Sequence, residues 1–326
     1  MKKNIAIVMG GYSSEVDISL KSGNVVYKHL DRIKYNPYKV HILENSWHVV
    51  IENNKFPIDK KDFSFVIENQ KVTFDCVFNA IHGNPGENGV LLAYFDLINL
   101  THTSAPFYQM ALTFNKRDTL SVMKNYGIPI AKSVYLNKGD EIQLETIIET
   151  VKLPCFIKPN NAGSSFGISK AYTKEEILSG IEKAYEEDSE ILIESFLDGT
   201  EVSVGVINYK SKTFVLPITE IVSKNDFFDY KAKYEGESEE ITPARLSDEA
   251  ATKVRTVAKK VYELLNMSGF SRSEYILVND EPHFIEMNTV PGLTEESILP
   301  QQANKANISL SELFDNAIQM ALNNNK

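Results

Sequence analysis

Apolar and polar positions along the chain repeat with two periods, about 2 and about 3.6 residues, and the switches between them mark the expected elements. Asn4 to Met9 reads as a short apolar run, the pattern of a parallel strand buried on both faces. Gly10-Gly11 turns the chain. Ser13 or Ser14 is then placed to cap a helix running to about Leu30, with Val16, Leu20, Val25 and Val26 as its apolar positions. Phe74 to Ala80 predicts another buried strand. A loop rich in turn formers, Ile81 to Gly89, and a helix from Val90 follow it. Strand, glycine turn, helix is how an open α/β sheet begins, with ligands at the carboxyl ends of its strands.

The pattern changes in the middle of the chain. Asn115-Lys116-Arg117 precedes a helix carrying Leu120, Val122 and Met123, with Gly127 at its C′ position and Ile128-Pro129 as a break. Pro154 to Pro159 predicts a strand with Lys158 near its end, followed by a Gly/Ser loop from Asn160 to Ser169. Thr173 to Glu176 is a capping box for a helix with Ile177, Ile181, Ala184 and Tyr185 along one stripe. Ile191 to Leu197 is an apolar strand, and Glu201 to Val206 alternates as another. Ile218 to Tyr234 has no helical period and predicts a mobile loop of the kind that forms lids. Ala250 to Asn266 is an amphipathic helix. Ser271 to Asn288 reads as two strands around a polar turn at Asn279 to Pro282, with Ile285 and Met287 on the face opposite Glu286 and Asn288.

Composition narrows the class. The 326 residues are 43% apolar and 24% charged, an ordinary globular balance whose length suits two or three domains. A net charge of −10 argues against a nucleic-acid or anionic-membrane partner, though not against a nucleotide held by local lysines. Cys76 and Cys155 sit in apolar strands and read as buried free thiols in a reducing compartment. The apolar run after Met1 is too short for a signal peptide and no stretch reaches a membrane span, so a cytoplasmic location is expected.

Candidate chemistry concentrates at the last hairpin. Strand periodicity puts Arg272 and Glu274 on one face and Glu286 and Asn288 on one face of the partner strand. Paired, they offer two carboxylates, an amide oxygen and a guanidinium. That is an oxygen set for a hard cation such as Mg²⁺, or else a solvated face with cross-strand pairs. Thr289 to Thr294 follows as a turn with exposed backbone N–H groups, suited to phosphate and a developing oxyanion. Elsewhere, Glu15 is either a complement to a helix dipole or a carboxylate for a substrate ammonium. His82 is a site contact or a structural histidine. The Gly/Ser loop after Lys158 is a phosphate cradle without a Walker sequence, or a hairpin tip. Lys233 and Tyr234 either reach a closed site or sit on an exposed loop. The dinucleotide pattern GxGxxG is absent, so nicotinamide and flavin binding are not supported.

Taken in order, GGYSSEVDISLKSG, AIHGNPGENG, FIKPNNAGSSFGISK, ILIESFLDGTEVSVGV, FFDYKAKY and GFSRSEYILVNDEPHFIEMNTVPGLTEES resemble the D-alanine–D-alanine ligase family of the ATP-grasp superfamily. The likeness runs along nearly the whole chain. It implies an N-terminal open α/β, Rossmann-like domain (1–103) followed by a two-lobed ATP-grasp fold of α+β character, with a central lobe (104–190) and a C-terminal lobe (191–326). It implies ATP-dependent joining of two D-alanines through an acyl phosphate, for peptidoglycan precursor synthesis. ATP is then a substrate, Mg²⁺ or Mn²⁺ a cofactor present as two ions, and a homodimer the expected assembly.

The resemblance also implies roles position by position. Lys116 and Lys158 contact ATP phosphates; Glu194, Phe196 and Leu197 form the adenine hinge; Glu201 holds the ribose. Glu274, Glu286 and Asn288 ligate metal. Glu15, Ser164 and Tyr234 form a triad tying the lid to the first-substrate pocket, with His82 and Lys233 nearby. Arg272 and the Gly292 N–H form the oxyanion site, and Ser297 meets the second substrate's carboxylate. Ala162 replaces an acidic residue of some relatives. Another ATP-grasp carboxylate–amine ligase, a D-alanyl-D-lactate ligase, and a nucleotide-binding relative without turnover are the competing expectations.

Overall fold

Ile5, Ile7 and Met9 point to one side of the first strand and Ala6 and Val8 to the other, all without solvent exposure. The strand Lys3–Gly11 is therefore covered on both faces, as its unbroken apolar run requires. In the computed structural model, which describes residues 2–163, 166–223 and 238–324, it pairs in parallel with Tyr35–Leu43 on one side and Cys76–Asn79 on the other. Ser46–Ile51 and Asn54–Pro57 extend this sheet antiparallel. Helix Val16–His29 and the last helix, Leu310–Asn324, cover the side of Ile5 and Ile7 through Val26, Phe314 and Ile318.

The first helix begins differently from expectation. Neither Ser13 nor Ser14 caps it; Glu15 occupies the N-cap position without a side-chain cap bond. The Ser13 hydroxyl is committed elsewhere, donating to the His82 carbonyl at 3.3 Å and accepting the Glu15 N–H at 3.3 Å. Gly10 and Gly11, with φ of 109° and 107°, allow the turn that brings these loops together, a region closed to most side chains.

The second sheet is wholly antiparallel: Ser169–Ala171, Cys155–Pro159, Glu190–Ser195 and Ser133–Asn137. Helices Leu144–Val151 and Lys174–Glu187 pack on one face against Ile157, Ile191 and Ile193. The capping box at Thr173 and Glu176 forms as the sequence predicts. Phe156, Lys158 and Glu194 are left on the opposite face.

The third sheet is built on Thr200–Tyr209, flanked by Phe270–Val278 and then Glu281–Asn288 on one side. On the other side the strand pairs first with Thr219–Ser223 and then with Lys212–Val215. Val202 to Ile207 are buried on both faces rather than half-exposed, because helix Asp248–Leu264 covers one side and helices Ile298–Lys305 and Leu310–Asn324 the other. Thr219–Ser223 is strand where a loop was expected; the rest of the expected lid, including Lys233 and Tyr234, lies outside the described residues, as does Ser164. The hairpin turn is tighter than Asn279 to Pro282: only Asn279 and Asp280 form it, both at positive φ, a two-residue turn whose twist suits the strands.

Cys76 and Cys155 are buried free thiols. Among the described residues no helix is long and apolar enough to cross a membrane.

Candidate active site

Cross-strand register decides the centre of the site. Arg272 lies opposite Asn288 and Glu274 opposite Glu286, so all four side chains share one face of the hairpin. Immediately beyond, the ladder slips, and Tyr275 pairs with Phe284 instead of Ile285. The extra residue is Ile285, which is half-exposed, while Phe284 turns into the core and meets Tyr275 edge-on at 5.8 Å. Ile285 thus does not share the burial of Met287, with which simple alternation pairs it. The bulge lets an acidic face and an apolar core follow each other along one strand.

Each of these four groups has a partner, and that of Asn288 is a backbone group: its Oδ1 accepts the Val290 N–H at 3.0 Å. The Arg272 guanidinium donates to Glu274 and, at 2.9 Å, to Ser203 Oγ. Burial alone would lower the Arg272 pKa, but Glu274, Glu286 and Glu240 outweigh it and hold the charge in place. Lys116 Nζ stands 3.5 Å from Glu286 Oε2 and donates to the Ala162 carbonyl at 2.6 Å. Lys116 is the first residue of helix Lys116–Asn125, whose N-cap Asn115 accepts the Asp118 N–H.

Lys158 and Glu194 sit on the open face of the second sheet as diagonal neighbours, and their side chains form a buried ion pair of 2.7 Å. Burial would lower the lysine's pKa; Glu194, then Glu286 and Glu201, raise it overall. Lys158 is therefore a cation sensed from both sheets. Beside it, Phe196 and Phe156 lie 6.3 Å apart, with Lys170 Nζ 4.4 Å from the centre of the Phe196 ring. Phe156 and Lys170 were not singled out from the sequence. Their strand positions opposite each other are the signal that a register assignment exposes.

A cavity of about 420 Å³ brings Glu15, His82, Lys116, Arg272, Glu286 and Asn288 together with Gly292 and Ser297. Glu274 lies beneath Arg272, almost without exposure. Lys158, Glu194, Phe196, Leu197 and Glu201 are not on the wall of this cavity.

His82 is buried, its Nε2 3.2 Å from Ser22 Oγ, which also accepts the Leu293 N–H at 3.2 Å. The direction of the Ser22–His82 bond follows the imidazole tautomer. Burial drives the His82 pKa down; Glu15 and a backbone hydrogen bond at Val290 oppose it. His82 is a neutral link between the first domain and the Thr289–Thr294 turn.

Glu87, in the same loop, makes a second link that the sequence reading missed. It accepts the Gly83 N–H at 3.0 Å and the Thr289 N–H at 3.3 Å, and burial, with Glu15 nearby, pushes its pKa up to about 7. No local pattern marks it, because the Thr289 N–H that it accepts lies 202 positions away.

Gly292 and Ser297 meet at the far end. A Cβ on Gly292 would fall 2.7 Å from Ser297 Oγ, so only glycine lets the serine approach. Ser297 is the N-cap residue of helix Ile298–Lys305, yet its hydroxyl makes no cap bond and lies 2.7 Å from Thr294 Oγ1. Among the described residues no three His, Cys, Asp or Glu gather as a metal site. The candidate set is two carboxylates and an amide oxygen, which fits a hard cation that keeps water and phosphate oxygens in its shell.

Comparison with known proteins gives one answer along the whole length. Residues 4–105 match the family model "D-ala D-ala ligase N-terminus" and residues 122–319 match "D-ala D-ala ligase C-terminus". A D-alanine–D-alanine ligase of Flavobacterium johnsoniae is 64% identical over 321 residues, covering 98% of this chain and 99% of the relative. One from Christiangramia forsetii is 57% identical over 324 residues, covering 99% of each. Among solved structures, the VanG D-Ala:D-Ser ligase from Enterococcus faecalis superposes with a TM-score of 0.87 at 30% identity, covering 98% of this chain and 100% of that one. A D-alanine–D-alanine ligase from Bacillus anthracis complexed with ATP gives 0.79 at 25% identity, covering 98% of each.

Proposed function

The chain belongs to the D-alanine–D-alanine ligase family, and from that premise we propose how its cleft joins two D-alanines at the expense of ATP for peptidoglycan precursor synthesis. The observation that carries the reading is the register that sets Arg272 against Asn288 and Glu274 against Glu286, with Lys116 beside Glu286.

A carboxylate is a poor electrophile because its leaving group would be oxide. Phosphorylation of the first D-alanine's carboxylate by the ATP γ-phosphoryl group releases ADP and gives an acyl phosphate, whose phosphate departs readily when the acyl carbon is attacked. Lys116 and Lys158 neutralise charge on the phosphates, and Phe196, with Glu194, Leu197 and Glu201, accommodates the nucleoside. Glu274, Glu286 and Asn288 would hold Mg²⁺, which when bound supplies charge stabilisation to the phosphoryl oxygens. Glu15 receives the first substrate's ammonium, and neutral His82 fixes the wall behind it. Gly163 runs against Glu15, since a Cβ there would lie 3.0 Å from the carboxylate; Ser164 and Tyr234, outside the described residues, are assigned to a triad with Glu15. Lys233, also outside the described residues, is assigned to the first substrate. The second amine attacks the acyl carbon while Arg272 and the Gly292 N–H stabilise the oxyanion, each such donor being worth about 3–4 kcal/mol. Ser297 holds the acceptor's carboxylate.

Phosphate release from ATP is expected to depend on D-alanine and to yield one dipeptide per ADP. Release at the same rate with L-alanine, or with no amino acid, would contradict this reading. The likeness to the D-Ala:D-Ser ligase makes D-serine the acceptor to compete against D-alanine, with D-lactate as a third arm; product masses decide. We further assign the chain to a cytoplasmic homodimer through the exposed Val90, Leu97, Phe107 and Tyr108, which sedimentation would test.

A further inference from the structure

Strand Thr200–Tyr209 changes partners in mid-course. Ser203 is its last residue paired with Thr219–Ser223, and Val206 is the first paired with Lys212–Val215. At the handover two buried backbone groups, the Ser203 carbonyl and the Gly205 N–H, lose a ladder partner, and such groups are rarely left unpaired. Gln302, fully buried on helix Ile298–Lys305, supplies both. Its Oε1 accepts the Gly205 N–H at 3.0 Å and its Nε2 donates to the Ser203 carbonyl at 2.9 Å. The same amide nitrogen donates to Thr219 Oγ1 at 3.0 Å. A primary amide presents an acceptor oxygen and two N–H donors; the oxygen and one donor stand in for a peptide group, so the side chain acts as a missing piece of strand, while the second donor reaches Thr219.

The amide arrives from the catalytic side. Gly205 lies opposite Arg272 and Ser203 opposite Glu274, on the face that carries the site. A Cβ on Gly205 would fall 2.6 Å from Gln302 Oε1 and 2.8 Å from Leu299 Cδ1, so the helix occupies the space of an absent side chain. One residue is thereby joined at both ends to the chemistry. Through Ser203 it borders the hydroxyl that holds Arg272, and along its own helix it leads back to Ser297 at the N-cap.

We propose that Gln302, seated in the gap at Gly205, is a positioning residue that fixes the distance between the acceptor's carboxylate contact, Ser297, and the oxyanion arginine, Arg272. The inference rests on the roles assigned to those two residues above. If the acceptor helix shifts on the sheet, the acyl phosphate still forms, because the lysines and Glu15 belong to other elements. The second amine is then misplaced. Water attacks the acyl carbon instead, regenerating D-alanine and releasing phosphate, so that ATP is spent without a peptide bond.

The test uses the full-length enzyme and two variants that disturb the contact from opposite sides, Gln302→Leu and Gly205→Ala, with ADP and dipeptide measured together. Thermal unfolding and ATP saturation identify folded variants, and either variant alone suffices if the other does not fold. The expected result is a rise of about tenfold or more in KM for the acceptor D-alanine. KM values for ATP and the first D-alanine should stay within about twofold, and the ADP-to-dipeptide ratio should exceed one. Folded variants that keep the wild-type acceptor KM and one ADP per dipeptide would overturn the proposal, as would a fall in kcat alone. A wild-type enzyme that makes no dipeptide would instead overturn the functional reading on which it rests.

Discussion

Glu274 stands directly across from Glu286 in the antiparallel hairpin, and the ladder slips by one residue immediately after the pair. Two carboxylates at opposite positions repel unless cations are shared between them. Arg272 serves Glu274 and Lys116 serves Glu286. Glu286→Gln should therefore preserve the fold while lowering kcat by about 10²-fold or more, the loss typical of one electrostatic contact to the transition state. Steady-state ADP release with D-alanine, alongside thermal unfolding, measures both. Turnover near the wild-type rate would place the metal elsewhere.

The Lys158–Glu194 pair has almost no solvent around it, so removing one partner strands the other. Lys158→Met should cost about 3 kcal/mol of stability, in the range for a broken buried pair. The same variant should lose most of the thermal shift that saturating ATP gives the wild type. Urea unfolding with and without ATP separates the two effects; an undiminished ATP shift would remove Lys158 from the phosphate site.

Gly292 has room for a serine hydroxyl where a Cβ would stand. Its φ is not in the left-handed region, so Gly292→Ala stores little backbone strain and acts by displacing Ser297. KM for the acceptor should rise about tenfold with less than about 1 kcal/mol lost in stability. An unchanged acceptor KM would show that Ser297 does not touch that substrate.

Glu87 gives the pH dependence a sign. Its folded pKa of about 7 lies above the ordinary glutamate value of 4.5, because burial disfavours the carboxylate and Glu15 is near. The folded state therefore holds the proton more tightly. The stability this provides is complete below pH about 4.5 and is lost as pH rises to about 7, on the order of 3 kcal/mol over the window. Glu87→Gln should show a flatter stability profile between those limits. Parallel profiles for wild type and variant would mean that Glu87 does not titrate there.

The parts of this protein legible in its sequence are those that depend on neighbours along the chain. The apolar run at Asn4 to Met9, the capping box at Thr173 and Glu176, and the stripe of helix Asp248–Leu264 each follow from local periodicity, and each formed. The shared face of Arg272, Glu274, Glu286 and Asn288 was legible for the same reason, since a hairpin with a short turn leaves few registers open. What the chain order could not tell was which polar groups would be spent on one another. Ser13 looks like a cap, but its hydroxyl bonds a carbonyl 69 positions away; Ile285 alternates with Met287 but is the bulge. Glu87 and Gln302 carry no local signature, because what defines each is a backbone group from a distant segment that burial leaves without water. Local pattern fixes which elements form and which way their side chains face, whereas desolvation, which exists only once the elements pack, assigns the polar partners.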